Sequence, residues 1–385
     1  MASPASPPIS HPSRRFGPRG LAPDTWPIEP SQRWLLRLAL AFPFLLVALL
    51  TQGSGFVPVA NRALSARGDL IEWGDTGLGW MAEIFPPLSA AISAVVGGSD
   101  LALNLVAAVV LGFVLQRLAG VLARRGVGLW GTAAVLGTLV LTPPLYYLAA
   151  SDLQALLGLA LVVIALDGIA SFVEERNTES GFRAGLALGV AVMVDPGAWF
   201  YAIVLGVLAP FFARRAGRLG RGANRATIAV LMFPAIGAVA FWLYASWWFS
   251  ADPWGGLEAS ATNGWFPISA ATAAELIAQG MLAVPLFVVA FGFRLVRDRW
   301  SLIAPLIAIA GLYLSLWSGL RQAGGQTYVL LTAMYVLLLV AREPGRRRRR
   351  VILWTAVAQI AVGWAVLLLL ADSPIYLWLR TVTGL

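Results

Sequence analysis

The sequence predicts an all-α integral membrane protein with about eleven transmembrane helices, and three observations lead to this fold class. Of the 385 residues, 59% are hydrophobic and 12% are charged, whereas a soluble domain has about 45–50% apolar and about 25% charged residues. The mean hydropathy is +0.77. Apolar runs long enough to cross a hydrocarbon core, which takes roughly 20 residues, recur along the whole chain.

The composition also excludes several kinds of chemistry. The chain has no cysteine and a single histidine, His11, so it has no disulfide, no thiolate nucleophile and no histidine-built metal centre. All 28 basic residues are arginine. Because lysine is absent, phosphate loops of the Walker type and Schiff-base chemistry lack the residue they require.

Residues 1–32 are predicted to be a disordered cytoplasmic tail, and residues 33–385 a polytopic transmembrane domain. The tail is rich in Pro, Ser and Arg and has few large apolar side chains, so it cannot offset the entropy of ordering. The first apolar run begins only at Trp34, too late for a signal peptide.

The eleven predicted spans share high apolar content, although several are short. The fifth and sixth, separated by Asp195-Pro196-Gly197, form either a hairpin of short helices or one broken helix. In chain order the spans are Trp34–Gln52, Leu101–Ala123, Gly128–Tyr146, Leu153–Val173, Gly181–Val194, Ala198–Phe212, Ala226–Phe249, Leu276–Phe293, Trp300–Ser318, Thr327–Ala341 and Val351–Ala371.

The arginines indicate the orientation, because cytoplasmic loops carry the basic residues. With the amino terminus inside, all but four of the 28 arginines are cytoplasmic, and the exceptions are Arg62, Arg67, Arg321 and Arg380. The carboxyl terminus is then extracytoplasmic. The high arginine content, the absence of lysine and the abundant alanine indicate a GC-rich bacterium, and the predicted location is the bacterial inner membrane. The run Arg346–Arg350 is interpreted as a cytoplasmic stop signal, with an anionic-lipid or nucleic-acid patch as the disfavoured alternative, so no nucleic-acid partner is expected.

The first extracytoplasmic loop, residues 53–100, is far longer than a connection needs. It carries four carboxylates within fifteen residues: Asp69, Glu72, Asp75 and Glu83. Such a group can supply a general base or bind a hard divalent cation through oxygen ligands. Asp69, Glu72 and Asp75 are the candidate catalytic residues, and Asp69 with Asp75 the candidate ligands of Mg²⁺ or Mn²⁺. The alternative is a solvated acidic loop.

This loop resembles the opening loop of the GT-C glycosyltransferases, especially the protein O-mannosyltransferase and aminoarabinose-transferase branch. The motifs that carry the resemblance are RALSARGDLIEW, FPPLSAAISAVVGG and NLVAAVVLG, and later TPPLYYLAASDLQ and QTYVLLTAMYVLLLVA. The matched residues of the first loop are Gly68, Asp69, Pro86, Pro87 and Leu88. The resemblance covers roughly residues 34–342.

The resemblance implies a GT-C-like core and an enzyme that takes a sugar from a polyprenyl-phosphate donor at the outer face and passes it to an envelope lipid, glycan or protein. An acidic residue early in the first loop would act as base or hold a metal. This chain departs from the family there, since it has no carboxylate between Thr51 and Gly68. The role has then moved to Asp69, Glu72 or Asp75, or the scaffold lacks the reaction.

Five further residues are candidates for substrate binding. Asp152 sits where the family often has an assisting carboxylate, and its alternative is a helix N-cap. Tyr328 belongs to the late helix that resembles the family, but Thr327 stands before it where the family has an arginine. Arg321 is then the remaining cation for a lipid phosphate; its alternative is an interfacial anchor. In the second long loop, residues 250–275, Trp254 and Trp265 suit either a sugar ring or a membrane interface.

Two other function classes stay open. A non-catalytic GT-C-like scaffold or polyprenyl-lipid-binding protein needs no particular residue, and the missing early carboxylate favours it. A transporter is disfavoured because the spans, apart from Asp167, carry few ionisable groups. Asp167 lies within two turns of the cytoplasmic end of its span, where we expect it either to snorkel toward the interface or to pair with an arginine.

Overall fold

The computed structural model describes residues 23–74, 79–175, 178–215, 221–261, 264–297, 303–339, 345–370 and 372–384. Within these ranges every regular element is a helix. The α-helices are α1 (Pro30–Gly53), α2 (Val59–Asp69), α3 (Pro87–Val96), α4 (Asp100–Arg124), α5 (Leu129–Val140), α6 (Pro143–Ser151), α7 (Leu153–Glu175), α8 (Thr178–Val194), α9 (Ala198–Arg215), α10 (Arg221–Ser250), α11 (Gly255–Ser260), α12 (Ala270–Leu282), α13 (Pro285–Arg297), α14 (Ile303–Trp317), α15 (Gln326–Met334), α16 (Arg346–Leu369) and α17 (Pro374–Thr383).

Among the described residues, five helices are long and apolar enough to cross a membrane: α1, α4, α7, α10 and α16. Two bent helix pairs raise the number to seven if each pair is one span. The predicted all-helical, multi-pass character is therefore confirmed at this coarser level, and the count of eleven spans stays a prediction.

Two predicted spans are interrupted by prolines. The span predicted over 128–146 is divided into α5 and α6, which meet at an angle of 51°, and the span predicted over 276–293 is divided into α12 and α13, which meet at 91°. Pro143 and Pro285 each open the second helix of the pair. A proline lacks the N–H that a continuing helix needs and disfavours helical backbone in the residue before it, so the chain turns at both points.

The break at Asp195-Pro196-Gly197 separates two distinct helices, α8 and α9. The Asp195 carboxylate accepts a hydrogen bond from the Gly197 amide at 2.9 Å, a local turn that competes with helical bonding. The Asp195 side chain is thereby directed into the protein, where it is 1% exposed.

The bundle is organised around α4 and α7. Helix α1 packs along α4, α7 pairs with α8, and α10 packs on α8. At one end of the bundle, Arg117 of α4 pairs with Asp167 of α7 at 2.9 Å and with Asp24 at 3.5 Å. The expected pairing of Asp167 with an arginine is thus confirmed, and it removes the cost of an isolated charge among apolar helices.

The predicted tail is ordered over its last residues. Pro23–Thr25 forms a 3₁₀ turn against α4, and α1 begins at Pro30. Residues 23–32, which the sequence assigns to the tail, therefore include a turn and the start of α1, and residues 1–22 lie outside the described ranges.

Candidate functional site

The end of the bundle that carries residues 53–100, here called the long-loop side, is built around a buried asparagine. The Asn61 side chain in α2 donates to the Asn104 side-chain oxygen at 3.1 Å and accepts from the Leu153 amide at 2.9 Å. Asn61 is completely buried and Asn104 is 3% exposed. These bonds fix the first loop to α4 and to the junction of α6 and α7. They thereby position Asp152, the residue that precedes Leu153.

A cavity of about 280 Å³ opens at this junction. It lies between the start of the first loop, the end of α6, the connection from α14 to α15, and α17. Its lining includes Phe56, Tyr147, Asp152, Gln322, Gln326 and Trp378. A concave site with apolar walls and a few polar groups is typical of small-molecule binding sites.

Three aromatic rings form adjoining walls of this cavity. Tyr147 packs edge-on against Phe56, with ring centroids 6.3 Å apart, and against Trp378, with centroids 6.0 Å apart. Trp378 is 3% exposed, and its indole N–H has no hydrogen-bond partner among the described residues. The cavity therefore offers aromatic surface, and one of its lining residues carries a buried donor group without a partner among the described residues.

Asp152 is the carboxylate among the described residues that line this cavity. Its Oδ1 accepts from the Ala155 amide at 2.8 Å, so it is also the N-cap of α7, the alternative anticipated from the sequence. Burial raises the pKa of Asp152, and the Ala155 hydrogen bond with the nearby charges of Arg321 and Arg67 opposes that rise. A carboxylate with a raised pKa is a better proton acceptor near neutral pH than an ordinary one.

Arg321 is not among the residues that line the cavity, although its neighbour Gln322 is. It forms an ion pair with Asp195, and the two side chains are 1% and 2% exposed. Its Nη1 also donates to the Tyr201 hydroxyl at 3.4 Å. Burial lowers the pKa of Arg321 to about 10, with Asp152 acting in the opposite direction, so Arg321 is charged at neutral pH and already neutralised by a partner.

Arg67 is the second arginine near Asp152, and the sequence assigned it no role. It lies in α2, where its Nη1 donates to the Phe85 carbonyl at 3.2 Å. Burial lowers the pKa of Arg67, and the Asp152 charge raises it. Arg67, Asp152, Arg321 and Asp195 thus form a cluster of two positive and two negative side chains, assembled from four separate parts of the chain.

The acidic residues predicted to be catalytic are placed elsewhere. Asp69 is the last residue of α2 and is exposed, as is Glu72 three residues further on, and neither is among the residues that line the cavity. Asp75 lies outside the described residues. The described part of the chain contains no group of three or more His, Cys, Asp or Glu side chains able to hold a metal ion. The catalytic and metal-binding roles of these residues therefore stay predictions.

The remaining sequence candidates lie apart from the cavity lining. Tyr328 is 1% exposed and donates to the Thr138 carbonyl at 2.7 Å, which ties α15 to α5. Trp254 and Trp265 are exposed on the second long loop, and Trp265 packs beside Phe266. Of the five candidates, Asp152 alone is among the lining residues.

Sequence reasoning missed three residues of the site: Asn61, Arg67 and Trp378. A polar asparagine in a short amphipathic helix is an ordinary surface residue from the sequence alone. Trp378 lies beyond the last predicted span, where a tryptophan is usual at a membrane interface. For Arg67 the available signal was its place among the four arginines predicted to lie outside.

No family model, no curated protein and no solved structure matches this chain. The resemblance to the GT-C glycosyltransferases is neither supported nor rejected by these comparisons, and it stays a prediction.

Proposed function

We propose that this protein is a membrane glycosyltransferase that takes a sugar from a polyprenyl-phosphate donor at the outer face, with Asp152 as its general base. The observation that carries the proposal is the Asp152 carboxylate, with a pKa raised by burial, on the lining of an aromatic-walled cavity. The acceptor is an envelope lipid, glycan or protein with a free hydroxyl.

The cavity suits a single sugar ring. Its volume of about 280 Å³ lies just below the range of about 300–1,000 Å³ that is typical of drug-sized ligands. The rings of Phe56, Tyr147 and Trp378 provide apolar faces against which the C–H face of a pyranose can pack. Gln322 and Gln326 also line the cavity.

The proposed reaction needs one proton acceptor. Asp152 takes the proton of the acceptor hydroxyl, the acceptor oxygen bonds to the anomeric carbon, and the carbon–oxygen bond to the phosphate breaks. The polyprenyl phosphate leaves with the bonding electron pair, and Asp152 later releases its proton to water. Burial of the carboxylate assists the first step because it strengthens the base.

The proposal includes an orientation and an architecture. The long-loop side faces outward in a bacterial inner membrane, the amino terminus is cytoplasmic, and the eleven predicted spans form a GT-C-like core. The arginine distribution supports this orientation, because with the amino terminus inside all arginines except four fall on the cytoplasmic side. The four are Arg62, Arg67, Arg321 and Arg380.

A second candidate function is a non-catalytic scaffold that binds a polyprenyl lipid. The observation that favours it is that both central charged residues have structural roles. Asp152 caps α7, and Arg321 is paired with Asp195, so neither needs a substrate to explain its presence.

The test is turnover of radiolabelled polyprenyl-phosphate sugars by detergent-purified protein, with and without Mg²⁺ or Mn²⁺. The variants are Asp152→Asn, Asp69→Asn and Glu72→Gln. The control is Glu275→Gln, an exposed residue of α12. Asparagine caps a helix about as well as aspartate, so Asp152→Asn removes the base and leaves the local structure intact.

We expect transfer to be lost in Asp152→Asn and retained in the control. Transfer that survives in Asp152→Asn but not in Asp69→Asn or Glu72→Gln would move the base to the first loop. Lipid binding without any turnover, in the wild type and across the whole sugar panel, would establish the scaffold instead.

A further inference from the structure

A second cluster on the long-loop side contains hydrogen-bond donors for which the described residues provide no acceptor. It lies where the first loop, the start of α9 and the second half of α10 meet, and it includes Trp80, Trp199, Trp242 and Phe85. The ring of Phe85 lies 5.7 Å from that of Trp242 and 6.4 Å from that of Trp199. The cluster is separate from the lining of the Asp152 cavity.

The indole N–H groups of Trp80, Trp199 and Trp242 are buried without a hydrogen-bond partner among the described residues. The Ser246 hydroxyl, one helical turn after Trp242, is also buried and unpaired. Buried polar groups in proteins are nearly always hydrogen-bonded, and an unpaired buried donor destabilises the fold. A ligand with several acceptor atoms would supply the hydrogen bonds that the described residues do not give these four groups.

The Phe85 carbonyl, which belongs to the same cluster, is already hydrogen-bonded. It accepts from Arg67 Nη1 at 3.2 Å and from the Ser260 hydroxyl at 2.9 Å. These bonds also place a guanidinium group at the edge of the cluster. An indole N–H can only donate, so a ligand here must present several acceptor atoms, and a phosphate group does so with a charge opposite to that of Arg67.

The surroundings of the cluster indicate a lipid as the source of that phosphate. On α10, next to Trp242 and Ser246, the side chains of Tyr244, Trp247 and Trp248 are 54–65% exposed. Exposed tryptophan and tyrosine at the end of an apolar helix are typical of the headgroup level of a membrane. A lipid phosphate lies at the same depth.

We propose that Trp80, Trp199, Trp242 and Ser246 form a binding site for the phosphate group of a membrane lipid, with Arg67 supplying the opposite charge. The indole groups and the hydroxyl donate to the phosphate oxygens, and the aromatic rings contact the first carbons of the lipid chain. The site does not depend on the proposed transfer, although a transferase would use it to hold its donor.

The test compares binding of radiolabelled polyprenyl phosphate to the wild type and to a triple variant, Trp80→Phe, Trp199→Phe and Trp242→Phe. Phenylalanine keeps an aromatic ring and removes the N–H. The matched control is Trp247→Phe with Trp248→Phe, two exposed residues of the same helix. Polyprenol, which lacks the phosphate, and inorganic phosphate are the competing ligands.

We expect the triple variant to bind polyprenyl phosphate roughly tenfold or more weakly, since hydrogen bonds to a charged group are lost. Without lipid, its melting temperature is expected to equal or exceed that of the wild type, because unpaired buried donors have been removed. This combination identifies a ligand site, since a merely structural role would leave the affinity unchanged. The control variant is expected to bind as the wild type does.

Equal affinity in the triple variant and the wild type would overturn the proposal, as would binding of polyprenol as tight as that of polyprenyl phosphate. Competition by inorganic phosphate at the same concentration as the lipid would assign the site to free phosphate and overturn the proposal that its ligand is a lipid. If the triple variant fails to fold, Ser246→Ala and Arg67→Gln, each expected to weaken binding, replace it.

These outcomes are separate from those of the transfer experiment. Lipid binding that requires the indole groups, without any sugar transfer, supports this site and overturns the transferase. Transfer that is lost in Asp152→Asn, together with equal lipid affinity in the triple variant and the wild type, supports the transferase and overturns this lipid site.

Discussion

Asp195 and Arg321 form a buried ion pair between the break that follows α8 and the connection that precedes α15. The carboxylate lies directly over Gly158 of α7, where any Cβ atom would overlap it. Ser315 supports the same arrangement, since its hydroxyl donates to the Gly197 carbonyl at 2.8 Å and its carbonyl accepts from the Arg321 amide at 3.1 Å. The pair therefore joins the α8–α9 break to the connection before α15, and its carboxylate packs against α7.

Breaking this pair is expected to be costly. Asp195→Asn or Arg321→Gln alone leaves one uncompensated buried charge and should lower the free energy of unfolding by about 3–5 kcal/mol. The double variant should lose clearly less than the sum of the two. Thermal unfolding of all four proteins in one detergent measures this coupling, and additive losses would show that the two side chains do not interact.

Gly158→Ala is expected to displace the Asp195 carboxylate. The added methyl group overlaps that side chain, so we expect a loss of about 1–3 kcal/mol, as for other overpacked sites. Gly237→Ala in α10 is the matched control, because a Cβ there meets nothing within 4 Å and alanine is the better helix former by roughly 1 kcal/mol. Melting temperatures that move in the same direction for both variants would contradict this account.

The raised pKa of Asp152 predicts a pH dependence of stability. The folded protein binds the Asp152 proton more tightly than the unfolded chain does, so between the ordinary carboxyl pKa and the raised pKa the folded state holds more protons. The free energy of unfolding should then rise as the pH falls through the raised pKa. Subtracting the melting-temperature profile of Asp152→Asn from that of the wild type isolates this contribution, and parallel profiles would contradict it.

The same residue predicts how transfer responds to acid. Transfer needs the deprotonated carboxylate, so its rate should fall as the pH drops through the raised pKa of Asp152. Asp152→Glu keeps a carboxylate and should retain part of the rate, whereas Asp152→Ala should lose both the base and the cap, the latter at about 0.5–2 kcal/mol. A rate that is independent of pH from the ordinary carboxyl range to neutrality would remove Asp152 as the base.

The proposed orientation can be tested directly because the chain has no cysteine. In intact cells, a membrane-impermeant thiol reagent should label Glu72→Cys and Glu258→Cys, both exposed on the long loops. Arg348→Cys should be labelled only after the cells are opened. The reverse pattern would invert the topology and place the Asp152 cavity on the cytoplasmic side.

The long apolar helices could be predicted closely from the sequence. The predicted spans 101–123 and 153–173 correspond to α4 and α7 within one or two residues, because crossing a membrane requires a continuous apolar run and fully paired backbone groups. The prolines at 143, 144 and 285 were visible too, but the bends of 51° and 91° at these points depend on the helices packed around them.

The candidate site was predictable only in part. Asp152 became a candidate through the resemblance to the GT-C family, with a helix N-cap as its alternative, and it lies on the cavity lining. Its neighbours were not predictable, because Arg67 and Trp378 come from distant segments and each has an ordinary explanation on its own. The same holds for Trp80, Trp199 and Trp242, which become notable only when their unpaired N–H groups are found in one cluster.

Composition and hydropathy by themselves determined that this is a helical, multi-pass membrane protein, because partition into lipid depends on local apolar content and on backbone pairing within each helix. Tertiary structure alone decided which charged and polar groups share an environment. Whether Arg321 meets Asp195, and whether Asp152 faces a cavity, depends on contacts between segments more than a hundred residues apart.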